Sequence, residues 1–134
     1  MGQSLMMPNH RSLPSRIYHL AVASEWRDAT AASGSYRRST LGKSLDEEGF
    51  IHCAFAGQVQ TIADLVFRRR EDVVLLTIDP SRVQADIRVE NLEGGSELFP
   101  HIYGALPLDA VVASDDVPVA PDGSLVVLPL IDRS

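Results

Sequence analysis

Three of the four histidines in this 134-residue chain, His19, His52 and His101, stand inside short apolar segments, each with an aromatic residue close by. Imidazole is the side chain best suited to proton transfer or metal ligation near neutral pH, so these positions are the first candidates for a site. Glu97 joins them because it follows the turn-forming run Gly94-Gly95-Ser96 and leads into Leu98-Phe99-Pro100-His101, which places a carboxylate at the rim of a sheet. Each histidine taken alone also fits a core residue satisfied by a backbone carbonyl, and Glu97 also fits a solvated loop. Cys53 is adjacent to His52, but neighbours in a strand point to opposite faces, so the two do not form a dyad. As the one cysteine in the chain, Cys53 reads as a small buried hydrophobe in a reducing compartment, and a cytoplasmic location is expected.

Other chemistries lack their motifs. There is no G-x-S-x-G elbow for a serine hydrolase. Glu93-Gly94-Gly95-Ser96 lacks the lysine and the following helix of a phosphate loop. The histidines and Glu97 show no H-x-H, H-E-x-x-H or C-x-x-C spacing, so no metal is expected. A net charge of −6 makes general nucleic-acid binding unlikely. The run Arg68-Arg69-Arg70 reads as a solvated face.

The elements that must position these residues follow from periodicity. Residues 16–21 (Arg-Ile-Tyr-His-Leu-Ala) read as a strand, followed by a helix with Ser24 as N-cap and Trp26 and Ala29 on one face. Ser44-Leu45-Asp46-Glu47 is a capping-box pattern for one helical turn closed by Gly49. Residues 50–55 read as a buried strand. Val59, Ile62, Ala63 and Val66 recur at helical spacing, with the three arginines expected in the last turn. Val73 to Ile78 is an apolar run that predicts a central strand, and Ile87 with Val89 a half-exposed one. Further strands are expected over Leu98–Leu106, Ala110–Ala113 and Leu125–Leu130. Residues 1–15 are expected to be a flexible tail without signal-peptide character, and 16–134 a single domain. No apolar run is long enough to span a bilayer. Strands without intervening helices after residue 70 predict an α+β fold with a largely antiparallel sheet and two main helices in the N-terminal half.

Ile17-Tyr18-His19-Leu20, Trp26, Gly34-Ser35-Tyr36, Ser44-Leu45, Glu48-Gly49-Phe50-Ile51-His52-Cys53-Ala54, Gln58-Val59, Leu75-Leu76-Thr77-Ile78-Asp79 and Phe99-Pro100-His101-Ile102-Tyr103-Gly104 together resemble the bacterial family called DUF952. The resemblance covers roughly residues 16–115. That family is in turn similar to the ADP-ribosyltransferase fold, a split antiparallel sheet that holds NAD in its cleft. The resemblance implies transfer of ADP-ribose from NAD as substrate, or a related 2′-phosphotransferase or NAD hydrolase activity, with His19 holding the adenosine ribose, His52 beside the nicotinamide, and Glu97 orienting the nicotinamide ribose. His101 competes with Glu97 for that third role. His101, Tyr103, Tyr36 and Ser44 are implied as substrate-binding residues. Gly95 stands where arginine-modifying relatives carry a second glutamate, which weakens that activity. A 2′-phosphotransferase would need Arg37, Arg38 or the 68–70 run to grip a phosphate. The same fold without catalysis, as a module binding a nucleotide or small metabolite, is the alternative reading.

Overall fold

A computed structural model of the chain describes residues 13–32, 34–92 and 95–132. Its centre is β6 (Val73–Ile78), every residue of which is buried. Side chains alternate across a strand, so Val74, Leu76 and Ile78 enter one apolar cluster while Val73 and Leu75 enter another. A strand covered on both faces reads as a continuous apolar run, which is why this element was legible in the sequence. β1 (Ile17–Val22) and β10 (Val111–Asp116) flank β6, both antiparallel, with Ile17 opposite Ile78 and Val22 opposite Val73.

A second three-stranded sheet runs in the order β5 (Ile51–His52), β8 (Phe99–Ile102), β7 (Ile87–Glu90). The chain leaving β5 stitches the two sheets together. Tyr18 N–H donates to the Ala54 carbonyl at 2.9 Å, Ala54 N–H returns to Tyr18 at 2.8 Å, and Cys53 N–H donates to Pro100 at 3.0 Å. Two short antiparallel pairs complete the frame, β2 (Ser35–Tyr36) with β9 (Leu106–Pro107) and β3 (Arg38–Thr40) with β4 (Lys43–Ser44). The fold is therefore α+β, built from small antiparallel sheets.

Of the helices, α1 (Ala23–Ala31) lays Ala23, Trp26 and Ala29 on the first cluster, and α3 (Val59–Val66) lays Val59 and Ala63 on the second. These are the two main N-terminal helices. Between them α2 (Leu45–Glu48) shows the full capping box. Ser44 Oγ accepts from Glu47 N–H at 3.2 Å, Ser44 N–H donates to Glu47 Oε1 at 2.8 Å, and Gly49 closes the turn at φ 88°.

Several local expectations are corrected. Ser24 is not the N-cap of α1, because the helix begins one residue earlier and Ala23 N–H is satisfied by the Asp72 carbonyl at 2.7 Å. The three arginines lie beyond α3, which stops at Val66. Arg69 takes a positive φ of 69° with its N–H on the Gly123 carbonyl, Arg68 donates to the Asp122 carbonyl at 2.6 Å, and Arg70 grips Asp72 at 2.6 Å. Leu125–Leu130 is not a strand. Leu125 makes an isolated bridge with Val119, and Leu128–Asp132 forms α4. Val127, Leu130 and Ile131 meet the second cluster at helical spacing, and Pro129 is tolerated because it sits in the first turn. The first twelve residues of the expected tail, His10 among them, lie outside the described residues, and Leu13 packs against the core. Among the described residues no helix is long and apolar enough to cross a membrane.

Candidate functional site

The junction between the two sheets leaves a cavity of about 340 Å³ roofed by α3, with His19, Thr40, His52, Ile62, Phe67 and Phe99 among its walls. Two of the three histidines singled out in the sequence therefore face one space, because β1 and the end of β5 are hydrogen-bonded neighbours. His101 is not in the wall. It lies one strand further on, opposite His52 in the β5–β8 ladder.

His19 is almost wholly buried, and both ring nitrogens are engaged. Nδ1 is 2.6 Å from the His52 carbonyl oxygen and Nε2 is 3.0 Å from the Tyr36 hydroxyl. A carbonyl can only accept, so Nδ1 carries the proton and Nε2 accepts from the tyrosine, which assigns the neutral tautomer from its partners. Burial, opposed by the bond to the His52 carbonyl, lowers the His19 pKa to about 4. Tyr36 is a core residue, its ring edge-on to both His19 and Trp26, and burial followed by the nearby Glu25 carboxylate pushes its hydroxyl far above the ordinary value. His19 thus lines the cavity with Tyr36 behind it, and neither has a proton to give a ligand at neutral pH.

His52 is the more accessible imidazole. Its Nε2 is 3.5 Å from a Glu48 carboxylate oxygen, and its ring meets Phe50 at 4.8 Å and His101 at 5.4 Å between centroids, both edge to face. Glu48 arrives there because Gly49 reverses the chain between α2 and β5. Behind His52, His101 is fully buried with Nδ1 3.4 Å from Glu90. The Tyr103 hydroxyl donates to the same carboxylate at 2.6 Å, and Arg88 stacks 4.3 Å over the Tyr103 ring. Burial, then the bond to Glu90, pushes the Tyr103 hydroxyl up to about 12. His101 and Tyr103 therefore belong to an aromatic and charged cluster on the second sheet, joined to the cavity through His52.

Glu97 is exposed at the rim. Gln58, at the start of α3, donates from Nε2 to Glu97 Oε1 at 3.1 Å and to the Leu98 carbonyl at 2.8 Å. The carboxylate is thereby tied close to Val59 and Phe99, which do line the cavity. Ser44 spends its hydroxyl on the α2 cap. Cys53 is a buried wall residue whose thiol burial pushes well above its ordinary value, as expected of an inert cysteine. The arginines considered for phosphate are committed elsewhere, Arg37 to Asp46 at 2.8 Å and Arg38 to Glu25 at 3.1 Å, with the 68–70 run at its own turn. Among the described residues no group of three or more His, Cys, Asp or Glu side chains could hold a metal ion.

Sequence reasoning missed Thr40, Glu48, Gln58, Glu90 and Phe99. Gln58 and Glu48 stand in the motifs quoted above, but nothing in their spacing says that one tethers Glu97 and the other pairs with His52.

The crystal structure of protein CC0527 from Caulobacter crescentus is similar to this chain, with a TM-score of 0.76 at 27% identity, covering 87% of this chain and 98% of that one. The solution NMR structure of the same protein gives a TM-score of 0.73 at 26% identity, covering 90% of this chain and 100% of that one. No curated protein matches the chain. Residues 20–114 match the family described as "Protein of unknown function (DUF952)", which is most of the domain, and the chain belongs to that family.

Proposed function

We propose that this chain is a small-molecule-binding domain whose ligand inserts a flat, weakly polar ring, of the kind nicotinamide carries, into the cavity beneath α3. The observation that carries this reading is the cavity itself. About 340 Å³ of space is walled mainly by apolar side chains, with the polar groups of His19, Thr40 and His52 among them. Small-molecule sites combine a concave apolar wall with a few polar groups in this way, in the size range of about 300–1,000 Å³. The space suits a ring with part of its sugar, so the remainder of a dinucleotide would lie outside the rim. The engagement of both His19 nitrogens favours binding over proton transfer by that residue.

The test is a thermal-shift series with nicotinamide, nicotinamide mononucleotide, ADP-ribose and NAD. Ligands bearing the ring should raise the melting temperature by mass action. Val66 lines the cavity yet is 41% exposed, so Val66→Trp should block the opening without breaking the core and remove the shift. A series with no shift in the parent protein overturns the reading.

One observation favours a catalytic version, ADP-ribosyl transfer from NAD. Gln58 fixes the Glu97 carboxylate at the rim, where it would stabilise the positive charge that develops on the ribose as the nicotinamide bond breaks. His52 would stack on the departing ring, His19 would act as a positioning residue through Tyr36 and the His52 carbonyl, and His101 with Tyr103 would support His52. In this version the bond from ribose C1′ to nicotinamide breaks with its electron pair leaving on nicotinamide, and water or an acceptor nucleophile bonds to C1′ and loses its proton. Glu97→Gln slows the release by about 100-fold or more, beyond any change in binding.

A further inference from the structure

We propose that the cavity selects an organic cation, a pyridinium or alkylated ammonium group at the end of the ligand that enters it. The proposal rests on the cavity reading above and adds the charge of the ligand to it. Among the described residues no lysine or arginine stands in the cavity wall, whereas the aromatic residues Tyr18, Phe67 and Phe99 do. Aromatic faces attract a cation through the ring quadrupole, most strongly where water is excluded. His19, which would oppose a cation if charged, is held neutral by its two partners and by burial.

The carboxylates are placed to reinforce this. Glu48 reaches the cavity margin through His52 Nε2 at 3.5 Å, and Glu97 is held at the rim by Gln58 at 3.1 Å. The neighbouring guanidinium groups of Arg37 and Arg38 are neutralised by Asp46 and Glu25. Lys43, opposite cavity-lining Thr40 in the β3–β4 pair, is exposed to solvent, where its charge is screened over about 8 Å and is offset by Glu47 beside it. A phosphate or carboxylate head entering this space would find no lysine or arginine among the described residues of the wall. A net charge of −6 on the whole chain steers in the same direction.

The discriminating experiment uses two compounds with the same heavy-atom composition, 1-methylnicotinamide, a permanent cation, and neutral nicotinamide methylated on the amide nitrogen. Binding of each to the full chain is measured by calorimetry at pH 8, where an ordinary imidazole is neutral. The cation should bind about fivefold or more tightly. The difference should narrow in Glu48→Gln, with folding checked by circular dichroism. Equal binding of the two compounds, or tighter binding of the neutral one, overturns cation selection and leaves the cavity reading standing. Binding of neither compound overturns both. The comparison in the parent protein decides the matter even if the variant fails to fold.

Discussion

His19 holds the buried Tyr36 hydroxyl and the His52 carbonyl, and so it joins β1 to the segment that carries the more accessible imidazole. Its neutrality has a consequence for stability. A pKa lowered from 6.5 to about 4 means that the unfolded chain takes up a proton before the folded one does. Stability from this residue is therefore complete above pH 6.5 and is lost as pH falls towards about 4, a total of about 3 kcal/mol at 1.4 kcal/mol per unit. In His19→Gln the drop in stability between pH 7 and pH 4.5 should be smaller than in the parent, with lower stability at pH 7 because two buried partners lose their fit. Urea unfolding at the two pH values checks both statements, and an unchanged slope would show that His19 is not held neutral. His52 and His101 differ from His19 in each lying near a carboxylate, Glu48 at 3.5 Å and Glu90 at 3.4 Å.

At the scale of elements, α2 is a single turn that would not persist alone, and its cap is what holds it. Ser44 and Glu47 satisfy each other's backbone groups, and the turn then delivers Glu48 to His52. Ser44→Ala should lower stability by about 1 kcal/mol, read from the denaturation midpoint. A ligand role for Ser44 would instead leave stability unchanged and weaken binding. The capping pattern was legible because it is local, four residues whose side chains reach only their own backbone. The end of the chain was read as a strand for a related reason. Leu125–Leu130 is apolar enough for either element, and its helical half declares itself only when Val127, Leu130 and Ile131 meet the second cluster.

For the molecule as a whole, β6 is the strand on which both clusters depend, one on each face. Leu75, fully buried at its centre, should cost about 2–5 kcal/mol when truncated to alanine, with loss in a single cooperative transition. Hydrogen exchange should be slowest along β6, and two separate transitions would show that the sheets fold independently. The hydrogen-bonded Tyr18–Ala54 bridge makes the cavity, since it fixes β1 against the end of β5 and leaves α3 as the roof.

The α+β class, the antiparallel tendency, the central strand at 73–78, the capped turn at 44–48 and the family are all legible in the residue order, because each rests on local periodicity or on motifs that are contiguous in the chain. The same motifs bring His19 and His52 forward as a pair. What they do for each other emerges only on folding, since the contact runs from a side chain to a backbone carbonyl 33 residues away. The same holds for Gln58 and Glu97, 39 residues apart, and for His101 and Tyr103, which the strand ladder turned towards Glu90 and away from the cavity. Hydrogen-bond partners across strands depend on register, and register is set by the packing of the whole core, which no short window of sequence contains.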